Sequence, residues 1–205
     1  LAITEHSRSS VIANGLSIDQ LRRHADRIRA AGDKLKGITL LAGIEVDILA
    51  DGTLDYPDGV LADLDWVVAS IHSAQGQDRK KVTARTIAAM ENPHVHAIGH
   101  PSGRLLGRRD AMDLDWEAVF AAAARTGTAL EVNASWQRLD LKDVHVRQAL
   151  DAGCLFVIST DAHSTDQLDQ MVFGVTTARR GWAPPDRILN TWTVARLGKW
   201  LGRQS

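Results

Sequence analysis

Short aliphatic stretches rich in β-branched residues recur along the chain, and each carries a polar side chain at or near its carboxyl end. They cover residues 3–6, 38–48, 66–72, 95–100, 128–133 and 154–163. Runs of this kind are typical of parallel strands that are buried on both faces. Between them lie amphipathic segments of helical length, at residues 18–31, 78–91, 115–126 and 143–152. Strands that alternate with helices predict a parallel α/β sheet or barrel.

The predicted helices carry boundary signals of their own. Ser17 and Gln20 have the spacing of a capping box at the start of 18–31, and Gly32 fits the end of that helix. The other signals are Asp115 and Asp143 as N-caps, and Gly127 and Gly153 as stops.

The polar positions that follow the apolar stretches have a regular spacing. They are His6, Glu45, His72, His100, Asn133 and Asp161, at steps of 39, 27, 28, 33 and 28 residues. Each step has the length of one strand and one helix. In a βα barrel the carboxyl ends of the strands converge on one mouth, so these side chains are predicted to meet there.

The composition limits the class of protein. With 205 residues, 44% hydrophobic and 24% charged, the chain is expected to form a single globular domain over residues 1–205. Its net charge of −1 gives no general attraction for nucleic acid, so any polyanion must bind locally or through metals. No apolar run is long enough to cross a membrane, which argues against a membrane partner.

Two further features concern location and completeness. The single cysteine, Cys154, lies in an apolar strand and is expected to be a buried small side chain, which fits a cytoplasmic protein. The chain starts at Leu1, without methionine and within a predicted strand, so we expect the domain to be incomplete at its N-terminus.

Half of the eight histidines are candidate metal ligands because each closes an apolar strand. They are His6, His72, His100 and His163. The others have ordinary structural positions: two in helices, one in a turn, and one at the amino end of a strand, facing away from the predicted mouth. These are His24, His145, His94 and His96.

Carboxylates strengthen the prediction of a metal site. Glu45 and Asp47 interrupt an aliphatic strand, and a buried carboxylate needs a cation or hydrogen-bond donors. Asp161 and His163 form a D-x-H pair at a strand end, where alternate residues share a face. Histidine nitrogens with carboxylate oxygens suit zinc, manganese or iron, and paired metals activate water for phosphate ester hydrolysis. No phosphate-binding glycine loop or serine elbow is present, which disfavours an NTPase, a dehydrogenase or an α/β-hydrolase.

Five motifs, in this order, resemble the polymerase and histidinol phosphatase (PHP) superfamily: ITEHS, GIEVDI, SIHS, IGHP and TDAH. The stretches GLSIDQL, GHPSGRLLGRRD, EVNASWQRLDL and ARRGWAPPDRILNT are similar to the C-terminal PHP domain of bacterial family X DNA polymerases. The resemblance implies an α/β fold of the distorted (β/α)7 TIM-like barrel type, with the first strand absent from this chain. It also implies a site for up to three divalent transition metals.

The resemblance assigns a role to each ligand. Glu45 would bridge the first two metals, His72 and His100 would complete the second, and Asp161 would bind the first. His6 and His163 would bind the third. The superfamily's opening H-x-H strand is missing, which would leave the first and third metals short of ligands. Glu45, His72, Asp161 and His163 are also the predicted catalytic residues.

Other residues near the predicted mouth are candidates for substrate binding. Arg104 follows His100 and could bind a phosphate oxygen through paired hydrogen bonds, while Arg108 and Arg109 favour solvated loop positions. Arg138 is a comparable candidate on the next loop, and Asn133 could orient a ligand or a water molecule. Trp136 could stack on a nucleobase.

Three functions remain open from the sequence. The leading hypothesis is a metal-dependent phosphoesterase, a 3′–5′ exonuclease or DNA end-processing hydrolase joined to an N-terminal polymerase domain, as the resemblance implies. The first alternative is a small-molecule phosphomonoesterase of the histidinol-phosphatase type, which the near-neutral charge fits. The second is a metal-depleted, non-catalytic structural module.

Overall fold

Six parallel strands form one sheet in chain order in the computed structural model, which describes residues 1–202. The sheet curves into a half-barrel, and helices alternate with its strands. The strands are β1 Ala2–His6, β2 Leu41–Asp47, β3 Trp66–Ser70, β4 Ala97–Ile98, β5 Ala129–Asn133 and β6 Phe156–Ser159. The predicted parallel α/β architecture is confirmed, whereas the seven-stranded barrel stays a prediction.

The helices lie between and after the strands. They are α1 Ile18–Gly32, α2 Asp58–Leu61, α3 Arg79–Glu91, α4 Trp116–Thr126, α5 Asp143–Asp151, α6 Met171–Arg180 and α7 Val194–Leu201. None of the helices within residues 1–202 has the length and apolar composition needed to cross a bilayer.

Most of the predicted helix boundaries are confirmed. The Ser17 hydroxyl accepts a hydrogen bond from the backbone N–H of Gln20, whose side chain accepts one from the N–H of Ser17, at 3.3 and 2.8 Å. Asp115 caps α4, which ends at Gly127 in the left-handed conformation. The prediction for Asp143 is wrong: Lys142 is the N-cap of α5, and the Asp143 carboxylate accepts a hydrogen bond from Arg180 instead.

Several strands are shorter than the sequence predicts, and β4 and β6 are shortened most. Of 95–100 only Ala97–Ile98 is paired as strand, and of 154–163 only Phe156–Ser159. The chain leaves the ladder through positive φ angles, 26° at His100 and 52° at Asp161. These conformations are uncommon for residues with a side chain and occur often at functional sites.

The core fills the space between the sheet and the helices, with Ile44, Val67, Leu130 and Phe156 among its fully buried members. Cys154 is also fully buried, as predicted. A separate apolar cluster lies at the amino end of the strands, around Trp66, Ala97, Ala129, Leu189 and Trp200. Since that end is packed with apolar side chains, the opposite end is left for polar ones.

Candidate metal centre

The Glu45 carboxylate on β2 contacts three imidazoles that come from different parts of the chain. One carboxylate oxygen lies 2.9 Å from Nε2 of His100 and 3.4 Å from Nε2 of His72. The other lies 3.3 Å from Nδ1 of His6. Parallel pairing explains the arrangement, because His6 lies beside Glu45 in the register of β1 and β2. The structure thus brings together four of the residues predicted from the sequence.

The donor atoms of this cluster suit a divalent transition metal. Ligand atoms of His6, Glu45 and His72 all lie within 4.8 Å of one another, which could hold one ion. Nδ1 of His100 is buried and has no hydrogen-bond partner among the described residues. Imidazole nitrogens with carboxylate oxygens are the set that zinc, manganese and iron prefer, so these residues fit such a metal.

The electrostatics of the cluster favour an ionised carboxylate. Burial raises the pKa of Glu45, but the hydrogen bonds and charges of His100 and His72 outweigh it and hold that pKa well below its usual value. Burial lowers the pKa of His72, and the carboxylates of Asp47 and Glu45 raise it overall to about 9. Glu45 is therefore available as an anionic ligand at neutral pH.

Asp47 orients one of these imidazoles. The sequence indicates that this buried carboxylate needs a cation or donors, and the structure supplies donors. His72 Nδ1 lies 2.5 Å from one oxygen of Asp47, and the hydroxyls of Ser9 and Ser10 also donate to the carboxylate. With Nδ1 held, Nε2 of His72 points towards Glu45. A carboxylate behind a histidine fixes both its tautomer and its ring orientation.

Asp161 and His163 lie beside the cluster at the same mouth. The hydrogen-bond partners of the Asp161 carboxylate are Nδ2 of Asn133 at 3.2 Å and Nε of Arg138 at 3.1 Å. The ring of His163 lies 5.8 Å from the ring of His6, and its side chain is 62% exposed. The structure therefore places His163 beside His6, and an oxygen of the Asp161 carboxylate lies 3.9 Å from Nδ1 of His163.

The predicted arginines have different surroundings. Arg104 donates to the backbone carbonyls of Arg138 and Leu139, so it fastens the loop after β4 to the loop after β5. Arg138 donates to Asp161, while its Nη1 is buried without a partner among the described residues. Arg109 donates from Nε to the carbonyl of Gly103, and Arg108 is exposed.

Two buried carboxyls that the sequence interpretation missed lie near the mouth. Glu131 accepts hydrogen bonds from the backbone N–H of His100, from Asn133 and from Ser159, and burial raises its pKa to about 7. Asp140 accepts from the backbone N–H groups of residues 102 and 103, and burial raises its pKa as well. Glu131 could have been found by the signal that identified Glu45, a carboxylate between aliphatic strand residues.

A cluster of histidines and carboxylates lies at the carboxyl end of a parallel α/β half-barrel. This arrangement defines the class of the domain, an α/β domain with a candidate metal centre. No protein-family model matches the chain. It is 43% identical over 203 residues to the DNA polymerase/3′-5′ exonuclease PolX of Bacillus subtilis (strain 168), covering 99% of the chain and 36% of that protein.

Two probable phosphatases are also similar. The chain is 27% identical over 221 residues to one from Thermoanaerobacter sp. (strain X514), covering 97% of the chain and 87% of that protein. It is 31% identical over 183 residues to one from Shewanella sediminis (strain HAW-EB3), covering 85% and 72%. The chain belongs to the PHP superfamily, and it resembles the PHP domain of bacterial family X DNA polymerases. It spans about a third of the length of the Bacillus relative and most of the length of these phosphatases.

Proposed function

We propose that this chain is a metal-dependent phosphoesterase that removes nucleotides from DNA 3′ ends. The observation that carries the proposal is the contact of the Glu45 carboxylate with His6, His72 and His100 at the mouth of the half-barrel. The name of the Bacillus relative, which is similar over 99% of this chain, supports an exonuclease.

Six residues would hold the metal ions, in the roles that the superfamily resemblance implies: His6, Glu45, His72, His100, Asp161 and His163. We propose that this domain binds up to three zinc, manganese or iron ions. Such ions lower the pKa of bound water and neutralise charge on a phosphoryl group. The chain contributes an ionised Glu45 and a His72 ring whose orientation Asp47 fixes.

The substrate phosphate would bind beside the metal cluster through Arg138. Its Nη1 is buried without a partner among the described residues, so a phosphate oxygen there would satisfy a donor that the protein leaves unpaired. Asn133 would hold Asp161 in place through its Nδ2. Arg104 would act indirectly, because it holds the backbone of the loop that carries Arg138.

The proposal includes a partner domain. The name of the Bacillus relative joins polymerase and exonuclease, and this chain matches 36% of that protein. We propose that a polymerase domain accompanies the present domain in the cytoplasm and delivers DNA 3′ ends to it.

A small-molecule phosphomonoesterase is the second candidate. Two observations favour it: the net charge of −1, and the similarity to probable phosphatases over most of their length. A free-standing nuclease usually shows a basic surface for the phosphate backbone.

A side-by-side assay tests the two candidates. The chain is loaded with Mn²⁺ or Zn²⁺, and its metal content is verified before it meets a 5′-labelled single-stranded oligonucleotide or a phosphomonoester. We expect stepwise shortening of the oligonucleotide, lost in Glu45→Gln and retained in His96→Gln, which changes the opposite end of the sheet. Phosphate release from the monoester without shortening would favour the phosphatase. The absence of any hydrolysis by the metal-loaded chain would contradict both.

A further inference from the structure

Trp136 differs from the other tryptophans of the chain. Its side chain is 57% exposed, and within residues 1–202 its ring has no aromatic or cationic partner. Each of the others contacts a second ring or an arginine: Trp66, Trp116, Trp182, Trp192 and Trp200. Even the most exposed of them has a guanidinium 5.3 Å from its ring centroid. A large aromatic surface left open to water is more typical of a binding site than of packing.

The backbone beneath this ring is held in place. The N–H of Trp136 donates to the side chain of Gln170 at 3.1 Å, which links the loop after β5 to the turn before α6. The N–H groups of Arg138 and Leu139 both donate to the carbonyl of Ser135, at 2.8 and 2.9 Å. Because the loop is fixed by these hydrogen bonds, the ring is a preorganised surface, and a ligand would pay little to order it.

The same loop reaches the metal centre on both sides of Trp136. Asn133 precedes the tryptophan and Arg138 follows it, and both donate to the carboxylate of Asp161. Two residues span at most about 7 Å of chain, so the Cα atoms of Trp136 and Arg138 are no further apart than that. A ligand with a phosphate on Arg138 would bring its next group within reach of Trp136.

The neighbouring loop adds an apolar and a cationic group. The N–H of Leu106 donates to the carbonyl of Gln137 at 2.7 Å, and the Leu106 side chain is 46% exposed. Arg108, two residues further along, is exposed. Two bonded loops that together carry an exposed aromatic ring, an aliphatic side chain and arginines match the chemistry of a nucleotide, whose base has a π-face and whose backbone is anionic.

We propose that Trp136 forms a nucleobase subsite of the metal centre. The base of a 3′-terminal nucleotide of single-stranded DNA stacks on its ring while Arg138 binds the adjacent phosphate. This inference rests on the proposed function, because it names the feature that would favour a DNA end over a small phosphomonoester. Stacking tolerates every base, so the subsite discriminates between nucleic acid and small esters without selecting a sequence.

The test compares two oligonucleotides of equal length, one complete and one with abasic residues at its three 3′-terminal positions. Binding is measured by fluorescence anisotropy in the presence of a chelator, which prevents turnover, and KM and kcat are measured with the metal-loaded chain. For the complete strand, Trp136→Ala should raise Kd and KM by about 5- to 100-fold, the usual effect of losing one stacked base. For the abasic strand both constants should stay unchanged.

Two variants serve as controls. Trp136→Phe retains a ring and should stay within about 3-fold of the wild type, because phenylalanine also stacks on bases. Trp182→Ala removes the other highly exposed tryptophan, whose ring already contacts Arg147, and should bind the complete strand normally.

The outcomes separate this inference from the proposed function. If the wild type shortens DNA and Trp136→Ala binds both strands as the wild type does, the subsite is refuted and the exonuclease stands. An equal loss on both strands would also refute it, since it would show that the tryptophan only supports the loop. A wild type that prefers the complete strand through Trp136 but never shortens it would keep the subsite and contradict the exonuclease. A wild type that binds neither strand would overturn the subsite.

Discussion

His96 and His100 flank one short strand, β4, and their imidazoles have different contact partners. At the amino end, Nδ1 of His96 accepts the backbone N–H of Val67 at 3.0 Å, and its ring stacks on Trp66 at 5.4 Å. At the carboxyl end, Nε2 of His100 lies 2.9 Å from Glu45. The residue type is the same, but the end of the strand decides which partners it meets.

The amino and carboxyl ends of the strands differ in the partners that they give to a buried imidazole. Around His96 the partners are aromatic, and burial lowers the pKa of this imidazole to about 4, so it stays neutral. At the mouth, carboxylates raise the pKa of His72 to about 9. The amino end therefore stabilises the fold with neutral groups, whereas the mouth concentrates ionised groups that need a partner charge.

The largest expected effect at the mouth comes from Glu45→Gln. The amide keeps the shape of the side chain but removes the negative charge that three imidazoles contact. We expect the rate of metal-dependent phosphate ester hydrolysis to fall more than about 100-fold, beyond the usual effect of a residue behind a ligand. Initial rates at verified metal content measure this, with circular dichroism to show that the fold is retained. Unchanged turnover would contradict the role of Glu45.

Asp47→Asn tests the support of His72. We expect the affinity for Zn²⁺ to fall about 10- to 100-fold, because the imidazole loses the acceptor that fixes its tautomer. Competition with a chromogenic chelator measures this affinity. Asp55→Asn is the matched control, since Asp55 is also a buried carboxylate and binds Arg8 and Ser9 but no histidine. Equal losses in the two variants would show that loop order, not the contact with His72, matters.

Acid unfolding should reveal the neutral histidine at the amino end. The folded pKa of His96 is about 4, below the ordinary value of 6.5, so between these values the unfolded chain binds the proton first. Its contribution to stability is present above pH 6.5 and is lost as the pH falls towards 4. Relative to that of His96→Gln, the free energy of unfolding of the wild type should fall by about 2–3 kcal/mol over this pH range. Urea unfolding of both proteins at pH 7 and pH 4 measures the difference. An equal loss of stability in the two proteins between these pH values would refute the prediction.

At neutral pH, His96→Gln should have the smallest effect of these variants. Glutamine can still accept the N–H of Val67, but it loses the stacking on Trp66 and the tilted ring contact with Trp200, so we expect about 1 kcal/mol less stability. Metal content, measured on the same sample, should equal that of the wild type. A loss of metal in His96→Gln would break the separation between the two ends.

Much of the fold follows from local patterns in the sequence. The six strands and the main helices coincide with the aliphatic stretches and their capping residues, since burial and backbone hydrogen bonding act within each element. The ends of the strands are less predictable. His100 and Asp161 leave the ladder at positive φ, a conformation that the tertiary structure imposes on them. The assignment of Asp143 failed for a similar reason, because a distant residue, Arg180, takes its carboxylate.

The part of the candidate site that lies at the ends of the strands was predictable from the sequence. Parallel pairing brings His6, Glu45, His72 and His100 together, as their places in the sequence indicate. The carbonyl partners of Arg104 depend on how two loops meet, and sequence spacing carries no information on that. The ligand roles, the domain limits and the cytoplasmic location stay predictions.

Metal stoichiometry is the most direct test of the central claim, that the Glu45 cluster holds transition metals. The chain is incubated with Zn²⁺ or Mn²⁺, dialysed, and measured by elemental analysis beside Glu45→Gln and His96→Gln. We predict at least one ion per chain in the wild type and in His96→Gln, and less than half of that in Glu45→Gln. Less than about one ion for every ten wild-type chains, or equal metal in all three proteins, would contradict the account.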